Sequence, residues 1–174
     1  MKSLFKFGSV HKQLMKSLSH RLIRAGLAQQ SEIKGCSSAE IAEITEHAGR
    51  ELPEVYKAFL RQMGKGAGWF FRGTTFFYPE LLRARRGALE LLQDDGEPFR
   101  LSEFEFVFSE HQGYQFMYFP LGDEEDPPVY LYQQGHLNSE KLFGRFSDFL
   151  IQAADDLVAH APEFLPSRRG RGEA

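Results

Sequence analysis

Residues 52–60 read LPEVYKAFL and carry the clearest structural signal in the 174-residue chain. Pro53 suits the first position of a helix, where its missing N–H costs nothing. Gly64 favours a helix end. Apolar side chains between them recur at spacings of three and four, the period of a helix with one buried face; they are Val55, Tyr56, Phe59, Leu60 and Met63. The segment predicts a short helix that presents two aromatic rings to a core.

The chain just before this segment predicts another helix. Ser37 and Glu40 have the spacing of a capping box, in which each side chain binds a free backbone amide of the first turn. We expect this helix to begin at Ser37 or Ser38, to run to about Ala48 and to stop at Gly49.

The first 36 residues are basic, with seven Lys or Arg against one acidic side chain, Glu32. From His11 to Leu27 the apolar residues again recur at three and four, which predicts an amphipathic helix. Its polar side carries Lys12, Lys16, Arg21 and Arg24. We interpret it as a peripheral helix packed on the domain. Contact with nucleic acid or with an anionic membrane is the open alternative.

The glycines after residue 63 predict a helix stop and a turn. Gly64, Gly66 and Gly68 lack the spacing of a phosphate-binding loop or a dinucleotide fingerprint, and aromatic residues follow them. Residues 74–78 are β-prone and predict a short strand. An Arg-rich helix is expected to start at Pro79 and to end before the Asp-Asp-Gly turn that closes at Gly96.

The hydrophobic period changes to two at Phe104. Phe104, Phe106 and Phe108 alternate with other residues, which predicts a strand with all three rings in the core. Two more strands follow and complete an antiparallel meander. The expected elements are a turn at 111–113, a strand at 114–119 and a strand at 129–132.

A last helix is expected from about Ser147, where Asp148 favours its positive end, to Pro162. Helices at both ends and strands between them predict a single α+β domain. In it, N-terminal helices and a closing C-terminal helix pack on one face of a mainly antiparallel sheet. The expected divisions are a basic helical extension at 1–36, the α+β domain at 37–162 and a flexible tail at 163–174.

Several short motifs succeed one another along the chain. They are LPEVYKAFL at 52–60, the Phe strand at 104–108, QGYQF at 112–116, PVY at 128–130 and SDFL at 147–150. In this order they resemble the SUKH superfamily, which includes yeast cell-wall assembly regulators and many bacterial toxin-immunity proteins. The resemblance covers about residues 38–160. The basic N-terminal segment and the Arg-rich residues 83–86 fall outside it.

The resemblance implies an α+β fold without a catalytic centre that binds diverse protein partners. Members of the superfamily often act as immunity proteins that inhibit a cognate toxin.

The residue inventory argues against several other classes of protein. Cys36 is the sole cysteine, so an internal disulfide and a zinc site built on cysteine pairs are excluded, and a cytoplasmic location fits. No stretch approaches the ~20 apolar residues of a membrane span. The six histidines form no local arrangement typical of a nucleophile with its base or of metal ligands. We expect a protein that is not an enzyme and has no cofactor or metal.

The middle of the chain is acidic. Residues 94–140 hold eleven acidic side chains against one basic, Arg100. Such a field speeds association with a basic partner. We predict a protein partner, in particular a basic toxin domain, and do not expect nucleic acid as a partner. The predicted binding residues are the carboxylates Asp123, Glu124, Glu125, Asp126 and Glu110, with Trp69 and Tyr114 as aromatic anchors.

The motifs and the charge pattern together favour two functions. The first is an immunity protein that blocks a toxin domain by its bulk and its charge. The second is a housekeeping interaction or scaffold module of the cell-wall-regulator type. A plainer interpretation of the acidic loop is a solvated surface, and a plainer interpretation of most aromatic residues is a core.

Overall fold

The computed structural model of the protein describes the backbone of residues 4–164 and the side chains of residues 8–162. The helices are α1 (Leu4–Arg24), α2 (Ser38–Ala48), α3 (Glu54–Met63), α4 (Ala84–Asp95), α5 (Phe146–Ala159) and α6 (Ala161–Phe164). The strands are β1 (Ile33–Lys34), β2 (Gly66–Ala67), β3 (Glu105–His111), β4 (Gln115–Pro120), β5 (Val129–Gln133) and β6 (Glu140–Phe143). Short 3-10 turns occupy Gln30–Glu32 and Glu80–Arg83.

Helix α3 lies at the centre of the domain, as its sequence predicts. All five of its periodic apolar residues are buried. The Tyr56 ring meets those of Phe106, Phe119 and Phe146 edge-on, with centroids 5.2–5.4 Å apart. Pro53 is the residue before the helix rather than its first residue, so the prediction is displaced by one position. The aromatic side of α3 thus organises the core.

Helices α1 and α2 pack around α3. The predicted capping box of α2 is present, and Gly49 ends that helix with a left-handed backbone, φ 70°. Helix α1 starts earlier than predicted, at Leu4, and buries its apolar side, with Leu18 at 2 % exposure. Its Ser19 hydroxyl accepts a hydrogen bond from the Gln62 amide of α3 at 3.2 Å. The predicted packing of this helix on the domain is confirmed, while the domain boundary after residue 36 stays a prediction.

The main sheet is antiparallel in the order β3-β4-β5-β6, which confirms the meander and the α+β class. Phe108 forms a bulge in β3, because the register shifts between Val107 and Ser109. Strand β6 was not predicted, and neither was the two-stranded sheet formed by β1 and β2. The residues of β6 are largely exposed, and β1 and β2 have only two residues each. None of these three strands shows a clear alternation of buried and exposed side chains.

Helices cover both faces of the main sheet, not one. On the first face, α3 and α5 pack against the rings of β3 and β4. On the second face, α4 crosses the sheet so closely that a Cβ at Gly87 would lie 3.2 Å from the Glu110 side chain. At the far end of α4, Asp95 accepts a 2.6 Å hydrogen bond from the hydroxyl of Tyr132. The Arg-rich helix, predicted from Pro79, therefore forms a third layer.

The prediction of a strand at residues 74–78 is wrong. This segment makes a single antiparallel bridge, in which Thr75 and Glu110 exchange backbone hydrogen bonds of 2.9 and 3.0 Å. The rings of Phe76 and Phe77 pack into the aromatic core around α3, so burial explains their apolar character. The last helix ends at Ala159, and α6 follows. From residue 165 onward the predicted tail lies outside the described residues.

Candidate protein-binding surface

The loop between β4 and β5 carries the four consecutive carboxylates of the sequence prediction. Asp123 and Glu124 are exposed, whereas Glu125 and Asp126 are partly buried. Pro127 and Pro128 behind them are buried. The loop therefore divides into an outer half that faces solvent and an inner half that packs against the domain.

The inner half of the loop accepts hydrogen bonds from the first turns of two helices. The Asp126 carboxylate accepts hydrogen bonds from the backbone N–H of Ser147 at 2.9 Å and from its hydroxyl at 2.5 Å. It thereby occupies a free amide in the first turn of α5, where a negative charge is favourable. The carbonyl of Glu125 accepts from the backbone N–H of Val55, in the first turn of α3, at 3.1 Å. Asp126 thus has a structural role.

The base of the loop is hydrogen-bonded to the segment that carries an exposed aromatic ring. The backbone N–H of Leu121 donates to the carbonyl of Phe104 at 2.6 Å, which places Phe104 next to the base of the loop. Phe104 is 45 % exposed, so the prediction that this ring is in the core is wrong. The Arg50 guanidinium lies over the ring, 4.1 Å from its centroid. We refer to Phe104, Asp123 and Glu124 as the acidic edge.

Phe104 is exposed because it precedes the strand rather than belonging to it. Strand β3 starts at Glu105, and the segment before it turns through a hydrogen bond from the Glu105 N–H to the Ser102 carbonyl. Arg85 fixes this turn, since its guanidinium donates to the carbonyls of Glu105 at 2.7 Å and Ser102 at 3.1 Å. The sequence signal was the Glu-Phe-Glu context of Phe104, which places a charge on either side of the ring.

A cavity of about 240 Å³ opens beside Phe104. Its lining combines the C-terminal end of α2 with the start of β3 and includes His47, Arg50, Arg85 and Glu103. Because Arg85 is occupied by backbone carbonyls, Arg50 supplies the exposed cationic group of this cavity. Beside the cavity, the Arg50 guanidinium and the Phe104 ring therefore form one exposed pair.

Glu110 and Tyr114 lie at the opposite end of the β3–β4 hairpin. Strand β4 separates them from the loop by roughly 17 Å. The Glu110 carboxylate accepts from the Gly113 N–H at 2.6 Å and from the Thr75 hydroxyl at 3.3 Å. Tyr114 is 37 % exposed and meets the ring of His111 edge-on. These two residues therefore lie apart from the acidic edge.

Trp69 lies in a third place, near the end of α1. Its backbone N–H donates to the carbonyl of Leu27 at 2.9 Å, and Arg72 lies over its ring at 4.4 Å. The structure thus joins the base of the acidic loop to the segment that carries Phe104. It does not bring Glu110, Trp69 or Tyr114 to the same surface.

Cys36 is buried, and burial raises the pKa of its thiol to about 12. A thiol of this kind stays protonated near neutral pH, and a protonated thiol is a poor nucleophile. Among the described side chains, no group of three or more His, Cys, Asp or Glu is placed to hold a metal ion. No helix in the described part of the chain is both long and apolar enough to span a membrane.

The SUKH_6 family model, described as SMI1-KNR4 cell-wall, matches residues 38–150. The chain belongs to the SUKH superfamily. The matched region runs from the first residue of α2 to Leu150 in α5, so it includes the acidic edge of this SUKH domain. Membership supports a non-catalytic immunity module or a module like the cell-wall regulators. A comparison of the sequence with curated proteins found no match.

Proposed function

We propose that this SUKH protein is a cytoplasmic immunity protein that neutralises a cognate toxin domain by binding it through the acidic edge. The observation that carries the proposal is that two exposed carboxylates, Asp123 and Glu124, closely follow Leu121, whose backbone is hydrogen-bonded to that of the exposed Phe104. Interfaces gain most of their affinity from a few anchors, of which aromatic rings are the commonest type. Rim charges mainly raise the association rate and add specificity.

The loop suits this role because its inner half is anchored. Hydrogen bonds from Ser147 and Val55 hold Asp126 and Glu125 to the starts of two helices. A loop that is already ordered loses little conformational entropy when a partner binds. Asp123 and Glu124 can then oppose the cationic groups of a basic active site, while the domain behind them excludes its substrate. Inhibition by this route needs no chemistry from the SUKH domain.

The test is an affinity capture from the native cytosol with three baits. The first is the wild-type chain, the second carries Asp123→Asn, Glu124→Gln and Phe104→Ala, and the third carries Glu90→Gln and Asp94→Asn. The last two positions are exposed carboxylates on α4 that we place outside the binding surface. Asp126 is left intact in every bait because of its bonds to α5.

We expect the wild-type and α4 baits to recover one basic protein with toxin activity, and the acidic-edge bait to lose it. Adding purified wild-type chain should abolish that activity in a one-to-one complex. Capture of the same toxin by all three baits would move the binding site elsewhere, to Glu110 and Tyr114 or to Trp69. Thermal melting of each bait separates lost binding from lost folding.

The family description favours a second function, a cell-wall-regulator-type scaffold. A scaffold is expected to retain several endogenous proteins with weaker affinity. Recovery of such a set, with no basic toxin among them, would favour the scaffold and reject the immunity proposal.

A further inference from the structure

The exposed side of α1 forms a second charged surface, which the acidic edge does not use. No Asp or Glu occurs between Leu4 and Arg24. Lys12, Lys16, His20 and Arg24 recur every four residues along the helix, and all four are exposed. At 1.5 Å per residue this row spans about 18 Å. We refer to these four residues as the basic row.

A groove accompanies the basic row on one side. It has a volume of about 540 Å³ and is lined by Gln13, Lys16, Ser17, His20, Ile23, Arg24 and Gln30. No lining residue is acidic, and most of them can donate a hydrogen bond. Four other cavities of the described chain each include a carboxylate in their lining. The groove therefore presents donors and positive charge to a ligand that accepts hydrogen bonds and is negative.

The nearby carboxylates are already engaged. Asp155 forms an ion pair with Arg21, a residue outside the basic row. Glu32 accepts a 2.7 Å hydrogen bond from the backbone N–H of Gln29 as part of a local capping box. Lys12, Lys16 and Arg24 are thus available to an external anion.

We infer that the basic row and its groove bind the phosphate backbone of duplex nucleic acid without sequence preference. Cations and neutral donors in a row are the groups that contact phosphates. A groove fits a rod-like backbone better than a flat bilayer. Membrane-surface helices insert an apolar side, whereas α1 buries its apolar side, including Met15, Leu18 and Leu22, in the domain. Binding of single strands generally uses aromatic stacking platforms, and the groove lining includes no Phe, Tyr or Trp.

The test measures fluorescence anisotropy of a labelled DNA duplex of about 20 base pairs with three full-length proteins. One is the wild type and one carries Lys12→Gln, Lys16→Gln and Arg24→Gln. The matched control carries Arg83→Gln, Arg86→Gln and Lys141→Gln, which removes the same charge from exposed positions on other elements. Circular dichroism melting verifies that all three fold.

We expect the wild type and the control to bind the duplex in low salt and the basic-row variant to bind at least roughly tenfold more weakly. With three phosphate contacts, affinity should fall about 40-fold between about 50 and about 200 mM salt. Equally weakened duplex binding in both variants would show that net charge alone sets the affinity and would overturn the inference. Absence of binding by the wild type in low salt would also overturn it.

A parallel sedimentation assay uses phosphatidylserine vesicles, with phosphatidylcholine vesicles as the neutral control. Binding to the phosphatidylserine vesicles without binding to the duplex would assign the surface to membranes and reject the nucleic-acid inference. The Asp123→Asn, Glu124→Gln variant should keep its duplex binding, so the outcome is independent of the proposed immunity function.

Discussion

The acidic loop and helix α1 each carry charges of a single sign, and they use these charges differently. In the loop, neighbouring carboxylates have opposite roles, since Asp123 faces solvent while Asp126 binds the start of α5. In α1 the roles are separated by the helical period, so Lys16 is exposed and Leu18 is buried. On a helix, the charged side chains of one side can therefore be replaced without loss of stability. In a loop, the local backbone path decides for each charged side chain whether it is exposed or has a structural role.

The largest expected effect tests the separation within α1. Leu18→Ala should lower the free energy of unfolding by about 2–5 kcal/mol, because it removes a fully packed side chain between α1 and the core. Lys16→Gln on the same helix should change it by less than about 0.5 kcal/mol. Chemical denaturation measures both. Similar values for the two variants would contradict the division of α1 into a buried and an exposed side.

The next effect tests the division within the loop. Asp126→Ala should lower the free energy of unfolding by about 1–3 kcal/mol, because it leaves the amide and hydroxyl of Ser147 without their acceptor. Asp123→Ala should leave stability nearly unchanged. Urea melts of the two variants make the comparison directly, and a stable Asp126→Ala variant would show that the carboxylate does not hold α5.

A smaller effect is expected at Phe104, which lies just before β3. Phe104→Ala should cost no more than about 1 kcal/mol, since its partly exposed ring stacks mainly with Arg50. Phe106→Ala is the buried control and should cost about 3–5 kcal/mol. Thermal melting distinguishes them. A large loss at Phe104 would mean that this ring is part of the core and is not available to a partner.

The smallest effect is a pH dependence at an anchored carboxylate. A hydrogen bond from Lys65, with one from the backbone of Ser37, lowers the pKa of Glu40 below its ordinary value of 4.5. The folded state therefore gains stability from Glu40 above its ordinary pKa, and this gain is lost as the pH falls through the lowered pKa.

Melting temperatures of the wild type and Glu40→Gln should thus differ at neutral pH and converge in acid. The Glu124→Gln variant is the control at an exposed carboxylate and should melt close to the wild type at neutral pH. If the melting temperatures of the wild type and Glu40→Gln differed by the same amount at every pH, the charge of Glu40 would not stabilise the fold.

Local patterns predicted the helices better than the surface. The capping box at Ser37 and the apolar period of residues 52–63 predict α2 and α3 to within one or two residues, because both signals are local and act over a few helical turns at most. The β-prone residues 74–78 predict a strand that does not form, since their Phe side chains pack into the core without a continuous strand partner. Strand β6 was missed because its residues are largely exposed and do not alternate.

The candidate site was predicted only in part, because surfaces are assembled from distant segments. The acidic loop could be identified from its composition, but the exposed Phe104 comes from a distant segment that β3–β4 pairing and a hydrogen bond to Leu121 bring to the base of the loop. The residues predicted to join it, Glu110 and Tyr114, lie at the other end of the hairpin. That distance follows from the direction of β4, which cannot be predicted from the composition of the loop.

By itself the sequence determined the helices near the N-terminus, the antiparallel meander, the α+β class and the opposite charges of its first and middle segments. Those features depend on side-chain period and composition, which act over a few residues. The tertiary structure decided which charges are free, because Asp126 and Asp123 differ only in what the folded chain brings next to them. It also decided that Phe104 is exposed, since burial depends on the whole packing around a residue and not on its own apolar character.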